Sequence, residues 1–342
     1  MMSLMSSYVE RINSLMHPQP PHDPLVLDLF AGAGGLGLGF EAAGFQTLGY
    51  EKDKAAAATY NANLHGECIT ATLDADTHFP AAQVVIGGPP CQPFSVGGKQ
   101  LGFGDPRDGF PAFLAAVKQV QPQVLMFENV RGLMYRNHWY LDMIVQQLRD
   151  LGYTVEWKLL NAVNYGVPQN RERLFVIGHR GKFQWPEPEL HKVTAGAAIE
   201  DMAFLTPPES KFLTASMDGY VARYEAASKC VTPRDLHLDR PSRTLTCRNL
   251  AGATGDMMRV RLPDGRRRRL LHQEAARLQS FPDDFQFIGN ETERYNQIGN
   301  AVPPLLAFHL AQSIRRHLDD PQGLQAKPEA QPLLFAPQPV LI

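Results

Sequence analysis

Four short, almost wholly apolar runs constrain the fold of this chain: LVLDLF at residues 25–30, VVI at 84–86, VLMF at 124–127 and LFVI at 174–177. Apolar runs of this length without polar alternation are strands covered on both faces. Residues 47–51 and 155–160 supply further strands, and helical stretches at 54–64, 112–120 and 141–151 separate them. A glycine-rich turn at 31–39 leads from the first strand into another helix. Alternating strand and helix predict an α/β fold with a mixed, mostly parallel sheet.

At 342 residues and 44% hydrophobic content, the chain is long enough for one large domain and a smaller one. After Gly178 the pattern changes, and residues 181–270 are richer in Pro, Thr and Arg. We place the main domain at 24–180 plus 291–318 and the smaller one at 181–290. Residues 1–23 read as a loose polar leader, and the Pro- and Gln-rich residues 319–342 as a disordered tail. Short helices are expected at 272–279 and 303–318.

No apolar run approaches the roughly 20 residues of a membrane span. No basic segment followed by an apolar one marks a secretory signal. The cysteines are Cys68, Cys91, Cys230 and Cys247, none in a Cys-x-x-Cys pair, so neither a metal site nor a disulfide framework is expected. A reducing cytoplasm fits best. The net charge of −2 hides an asymmetry, because residues 240–277 hold ten arginines against three acidic residues. That density suits a polyanion, or simply a solvated basic face.

Five segments carry chemistry. Gly32-Ala33-Gly34-Gly35-Leu36-Gly37 follows a strand, and its glycines let the backbone approach a ligand at a helix start. Glu51 ends the next strand and can accept from ribose hydroxyls. This pair suits a nicotinamide dinucleotide as well as S-adenosylmethionine. Gly-Gly-Pro-Pro-Cys-Gln-Pro-Phe-Ser at 87–95 sets Cys91 on a Pro-fixed turn after the second run, where open α/β sheets place their chemistry. Cys91 is a candidate nucleophile there, or a packing residue. Glu128-Asn129-Val130 ends the third run, with Glu128 as a candidate acid, a helix cap or an ion-pair partner. Arg171 and Arg173, two apart at the start of the fourth run, face one side. They can grip a base oxygen, a carboxylate or a phosphate, or pair with Glu172 on the surface. Asn300 precedes Ala301-Val302-Pro303-Pro304, where a helix begins, and reads as a ligand contact or a turn residue.

Together and in this order the segments resemble the C5-cytosine DNA methyltransferase family of bacterial type, from residue 25 to residue 318. The resemblance implies a Rossmann-like S-adenosylmethionine-dependent fold with a small target-recognition domain at 181–290. It implies S-adenosylmethionine as cofactor and cytosine in double-stranded DNA as substrate. Phe30, Gly32, Gly34, Gly35, Leu36 and Pro90 would line the cofactor, with Glu51 on the ribose and Asp74 or Asp76 on the adenine. Asn300 and Val302 would close that site. Cys91 would add to cytosine carbon 6 and Glu128 would hold or donate a proton at nitrogen 3. Arg173 would bind the 2-oxygen, with Arg171 beside it orienting Cys91, the base or a phosphate. Ser95, Lys99 and Arg107 on the glycine-rich loop from residue 96 to 109 would contact DNA. So would Arg243, Thr244, Arg248 and Asn249, with Arg266, Arg267, Arg268 and Arg269 on the backbone. A monomer is expected, with a cognate restriction endonuclease as a functional rather than physical partner among the roles the family allows. Two departures stand out. Lys52 occupies a position where a ring often stacks on adenine, and Asp108-Gly109-Phe110-Pro111 replaces the usual small-x-Leu after Arg107.

A transfer-RNA-methylating relative would carry a Cys-Phe-Thr signature, which is not found. A nicotinamide oxidoreductase leaves Cys91, Glu128 and Arg173 without a role.

Overall fold

The computed structural model describes residues 7–91, 108–135, 137–229, 234–252 and 255–322. In the first part of the chain, β1 (His22–Leu29) leads through the glycine turn to α2 (Gly35–Ala42) and β2 (Phe45–Glu51). Next come α3 (Lys54–Asn63), β3 (Cys68–Thr70) and β4 (Val84–Gly87). The chain continues with α4 (Phe110–Val120), β5 (Val124–Val130), α5 (Gly132–Tyr135), α6 (His138–Asp150), β6 (Thr154–Asn161), β7 (Gln169–Asn170) and β8 (Glu172–His179). Seven of these strands form one sheet in the order β3-β2-β1-β4-β5-β8-β6. Pairing is parallel from β3 to β5, and β8 runs antiparallel to both β5 and β6. This is the mostly parallel sheet that the alternation of strand and helix predicted, in the mixed, Rossmann-like arrangement that the resemblance implied.

The continuity of those runs has a direct cause. Val26, Val84, Ile86, Met126, Phe175 and Ile177 face one layer, whereas Leu27, Leu29, Val85, Leu125, Phe127 and Val176 face the other. Alternate side chains point to opposite faces, so burial on both keeps the runs apolar except at Asp28.

The register brings the chemistry to one edge. Leu29 pairs with Tyr50 and Gly87, and Gly87 with Phe127. The next residues in each strand or turn are Phe30, Glu51, the Gly88-to-Cys91 turn and Glu128. They therefore leave the sheet side by side at its carboxyl edge.

The remaining helices are α7 (Ala195–Ile199), α8 (Ala215–Ala227), α9 (Cys247–Ala251), α10 (His272–Leu278), α11 (Glu291–Asn300) and α12 (Pro304–Asp319). The remaining strands are β9 (Ser242–Arg243), which pairs with β7, and β10 (Arg259–Arg261), which pairs with β11 (Arg267–Arg269). Leu245, Leu250, Met258, Leu278 and Phe281 from this part join the same buried cluster as Val26 and Ile86. α12 packs on α2 and returns the chain to the main sheet.

The loose leader is corrected over its described part. Residues 8–15 form α1 (Tyr8–Leu15), opened by a capping box between Ser7 and Glu10. Tyr8, Ile12 and Met16 are buried, and the Tyr8 hydroxyl donates to the Arg277 carbonyl at 2.8 Å. Of the expected tail, residues 319–322 are described, and 323–342 lie outside the described residues.

Candidate active site

The glycine turn owes its shape to two backbone features. Phe30 takes φ 59°, a left-handed conformation rare for an aromatic residue, and turns the chain sharply off β1. Gly34 follows at φ 86°, and a Cβ there would stand 2.9 Å from the Tyr60 ring. Glu51 braces the turn: its carboxylate accepts from the Gly32 amide at 2.9 Å and from the Asp53 amide at 2.8 Å. Gly35 admits the C-terminal segment, since a Cβ there would lie 2.5 Å from the Val302 carbonyl.

A cleft of about 590 Å³ opens over this edge, a size usual for small-ligand sites. Phe30, Gly32, Gly35, Leu36 and Glu51 line its glycine-turn side. Pro90, Cys91 and Glu128 line the opposite side, and Asn300 and Val302 close it. Gly34 shapes the turn from the Tyr60 side. Asp74 is not among the lining residues: its carboxylate accepts from the Thr77 hydroxyl at 2.8 Å and the Asp76 amide at 3.1 Å. Thr72 and Leu73 stand at that wall.

The Cys91 turn is held by its neighbours. Asn129 donates to the Pro89 carbonyl at 2.9 Å, and the Gly109 amide donates to the Pro90 carbonyl at 2.9 Å. Cys91 bridges to Asp108 through backbone pairing. Burial, and then the charge of Asp108, push its thiol up to about 12. Asp108 in turn accepts from the Phe110 amide at 3.1 Å and from the Tyr140 hydroxyl.

Glu128 is neither a helix cap nor a surface residue. It accepts from Arg173 Nε at 2.8 Å, and both side chains are largely buried. Desolvation raises its carboxyl above the ordinary range, against the opposing pull of Arg173 and Arg171. Arg173 therefore reaches the reactive edge and Arg171 turns elsewhere. Arg171 is buried and donates to the Leu245 carbonyl at 2.6 Å and the Gly299 carbonyl at 3.1 Å. It ties β8 to the start of α9 and the end of α11. Asn300, on the last turn of α11, accepts from Cys247 Sγ at 2.9 Å.

Two residues at this edge escaped attention in the sequence. Asp28 lines the cleft from within β1 and is fully buried. Burial, and then the charge of Glu51, push its carboxyl up to about 8. The Gly37 amide approaches it without closing a full hydrogen bond. A charged residue inside an otherwise apolar run was the signal. Asp108 is the other, and its signal was the departure from the small residue expected there.

A second cleft of about 520 Å³ adjoins the Glu128–Arg173 pair, lined by Arg131, Asn161, Asn170, Glu172, Arg173 and Thr244. Thr244 donates its hydroxyl to the Asn170 carbonyl at 2.6 Å. Asn249 is corrected as a DNA contact: it is 2% exposed, caps α9 with Thr246, and donates to the Thr244 carbonyl at 2.8 Å. Ser95, Lys99 and Arg107 lie outside the described residues.

The arginine-dense segment is only partly exposed: Arg240, Arg248, Arg261 and Arg266 face solvent, whereas others are internal. Arg268 is fully buried on Glu274 and on the carbonyls of Met202, Ala203 and Leu205. Arg259 is buried on Asp235 and Glu225. Arg267 pairs with Asp218 and Asp235, and Arg269 lies over the Tyr295 ring beside Glu291. Of the run 266–269, only Arg266 is largely exposed, stacked on Phe212 and bound to Asp264. The expected backbone contacts of Arg267, Arg268 and Arg269 are therefore corrected. Their charges are met by carboxylates: Glu274 six residues on for Arg268, and Asp218, Asp235 and Glu291 farther off along the chain for Arg267 and Arg269.

Among the described residues no helix is long and apolar enough to cross a membrane, and no cluster of potential metal ligands occurs.

Comparison with known proteins agrees with this geometry. The sequence profile of the C-5 cytosine-specific DNA methylase family matches residues 25–316. The Type II methyltransferase M.AplI of Arthrospira platensis is 56% identical over 318 residues, covering 92% of this chain and 90% of its own. The Type II methyltransferase M.PspPI of a Psychrobacter species is 35% identical, over 89% and 82% of the two chains. Among solved structures, Spodoptera frugiperda DNMT2 shares the fold with TM-score 0.66 at 17% identity, over 86% of this chain and 100% of that one. The Entamoeba histolytica methyltransferase EhMeth does so with TM-score 0.66 at 15% identity, over 88% and 99%. With the profile spanning nearly the whole described fold, the chain belongs to the C-5 cytosine-specific DNA methylase family.

Proposed function

We propose that this DNA cytosine-5 methyltransferase draws its methyl group from S-adenosylmethionine. It transfers that group to a cytosine swung out of duplex DNA, through a transient bond from Cys91 to carbon 6. One observation carries the reading: the glycine turn with Glu51, the Cys91 turn and Glu128 meet at one cleft, and Glu128 is bound there to Arg173 from the adjoining one.

The residues present fit the cofactor. Asp28 is a buried carboxylate lacking a closed hydrogen bond at the cleft wall, suited to a ligand ammonium group. Glu51 is fixed by two amides and keeps lone pairs for ribose hydroxyls. A Cβ on Gly32 would meet nothing within 4 Å, so the turn leaves open space beside the ligand. Phe30, Leu36, Pro90 and Val302 give apolar cover, and Asn300 supplies an amide. When bound, the cofactor supplies a methyl group on a positively charged sulfur.

The protein's own groups do the rest. Cytosine carbon 5 is a weak nucleophile until carbon 6 is attacked. The Cys91 thiol gives up its proton to water as sulfur bonds to carbon 6, and the carbon 5–carbon 6 π pair becomes available at carbon 5. Glu128, with its carboxyl raised by burial, holds its proton to higher pH and donates it to nitrogen 3. Arg173 is oriented by Glu128 and meets the negative charge that grows on the 2-oxygen. After carbon 5 takes the methyl group, water removes its proton. That electron pair restores the double bond, the carbon–sulfur bond breaks to return Cys91 as thiolate, which takes a proton from water, and nitrogen 3 gives its proton back to Glu128. Arg171 supports this centre by fixing the segments around it.

A base stacked in a duplex cannot reach Cys91, so it must leave the helix, as the substrates of base-modifying enzymes do. The second cleft, with Thr244, Asn170 and Arg173, then takes the adjoining sugar-phosphate. Ser95, Lys99 and Arg107 add DNA contacts in this reading, as do Arg243 and Arg248. The Type II names of the relatives support a restriction–modification setting, with a cognate endonuclease as functional counterpart. We take the monomer as the acting form.

Bisulfite sequencing of duplex DNA treated with the purified protein and S-adenosylmethionine should reveal 5-methylcytosine at one fixed sequence. Cys91→Ala should abolish the signal while DNA binding persists, and duplex containing 5-fluorocytosine should become covalently attached to the native enzyme. Full activity in Cys91→Ala, or no adduct, would sink the mechanism.

A further inference from the structure

Outside the active-site cleft, three guanidinium groups converge on one carboxylate. Asp256 receives Arg234 Nη1 at 3.0 Å and Arg243 Nη1 at 3.2 Å, and Arg248 Nε stands 3.6 Å away. Arg243 also donates to the Asp256 carbonyl at 2.6 Å. Glu225, the nearest other acid, is committed to Arg259 and to the Arg234 amide. Three cations thus meet at one carboxylate, a local density of positive charge that favours the approach of a polar, electron-rich ligand.

The three arginines are not equivalent. Arg234 is pinned over the Tyr224 ring, which stacks on Tyr220. Arg243 is held by two contacts to Asp256 and by its place in β9. Arg248 is 77% exposed, and Asp256 touches it loosely from the Nε side. Among the described residues no hydrogen bond engages its two terminal nitrogens. A guanidinium steered at Nε presents one edge to Asp256 and its terminal fork outward.

Location gives that fork a target. Arg243 adjoins Thr244, which lines the second cleft, and Arg248 follows four residues later at the start of α9. We propose that Arg248, oriented by Asp256, reads a guanine beside the target cytosine through its O6 and N7 acceptors. The outward fork matches that acceptor pair in the major groove, and a phosphate contact is the alternative that the test separates from it. Asp256 is a positioning residue, and Arg234 and Arg243 hold it in place. The proposal rests on the function proposed above and names its specificity determinant.

The test compares the wild type, Arg248→Lys and Asp256→Asn on a duplex library randomised around a cytosine, read by bisulfite sequencing. S-adenosylmethionine binding, measured by calorimetry, reports that each variant is folded. The wild type should require guanine at one position. Arg248→Lys keeps the charge but loses the fork, and should relax that position alone by about ten- to a hundredfold. Asp256→Asn should relax the same position by less. A uniform loss with preferences unchanged would mean a phosphate contact and overturn the proposal, as would unaltered profiles. A wild type that methylates no cytosine would instead overturn the underlying function.

Discussion

At the scale of single residues, the nucleophile is the least prepared group in its own site. Cys91 sits beside Asp108, and burial together with that like charge pushes its thiol up to about 12. At neutral pH the sulfur therefore keeps its proton until substrate arrives. Thiol alkylation follows the thiolate, so iodoacetamide labelling of the Cys91 peptide should rise about tenfold per pH unit toward pH 12. Asp108→Asn removes the negative neighbour, which lowers the thiol pKa and enlarges the thiolate fraction at any pH below it. Labelling at pH 8 should then be several-fold faster than in the wild type, read by mass spectrometry. An unchanged rate would show that Asp108 exerts no charge effect on the sulfur. Cys91 itself was legible from its turn, because prolines around a cysteine after a buried strand are hard to explain by packing. Its electrostatic setting was not, since Asp108 lies 17 positions along the chain and is brought back only by the backbone bridge.

At the scale of elements, strands β1, β4, β5 and β8 were readable because burial on both faces writes an unbroken apolar run. Elements covered on one side, or barely covered, left weaker traces. β3 is three residues long. α8 buries only Val221, so it has no apolar stripe to read. α1 did carry a helical spacing, Tyr8, Ile12 and Met16, but within eight helical residues beside a proline-rich stretch. The tertiary structure makes that helix matter. Ile12 is fully buried, Tyr8 is bonded to α10, and Arg11 pairs with Glu189. Ile12→Ala removes buried methyl groups and leaves a cavity, which should cost about 2–4 kcal/mol. A lowered urea midpoint with an unchanged m-value would register the loss. A midpoint equal to wild type would return these residues to the status of a loose leader. The arginine-dense segment failed for the opposite reason. A composition cannot distinguish a guanidinium facing water from Arg268 facing Glu274, or from Arg259 facing Asp235 and Glu225.

At the scale of the molecule, residues 181–290 and the main sheet share one interior. A single buried cluster runs from Val26 and Ile86 under the sheet through Leu245, Leu250 and Met258 to Phe281 and Leu305. Polar links cross the same boundary. Arg171 on the sheet side bonds the carbonyls of Leu245 and Gly299, and Gln169 bonds the Leu278 carbonyl and Gln279. Its side-chain oxygen also accepts from the Leu245 amide. Among the described residues, nearly all the buried apolar side chains of 181–290 belong to this shared cluster. Unfolding should be one cooperative transition, with calorimetric and van't Hoff enthalpies that agree. Arg171→Met keeps much of the side-chain volume but leaves two carbonyls without donors, at a cost of about 1–3 kcal/mol for each buried group left unpaired. Because both carbonyls lie where the two regions meet, this variant should lower the temperature of the single transition without splitting it. Two resolved transitions in the native protein would show that the shared interior does not couple the regions. A split appearing only in Arg171→Met would show that the coupling passes through that one guanidinium.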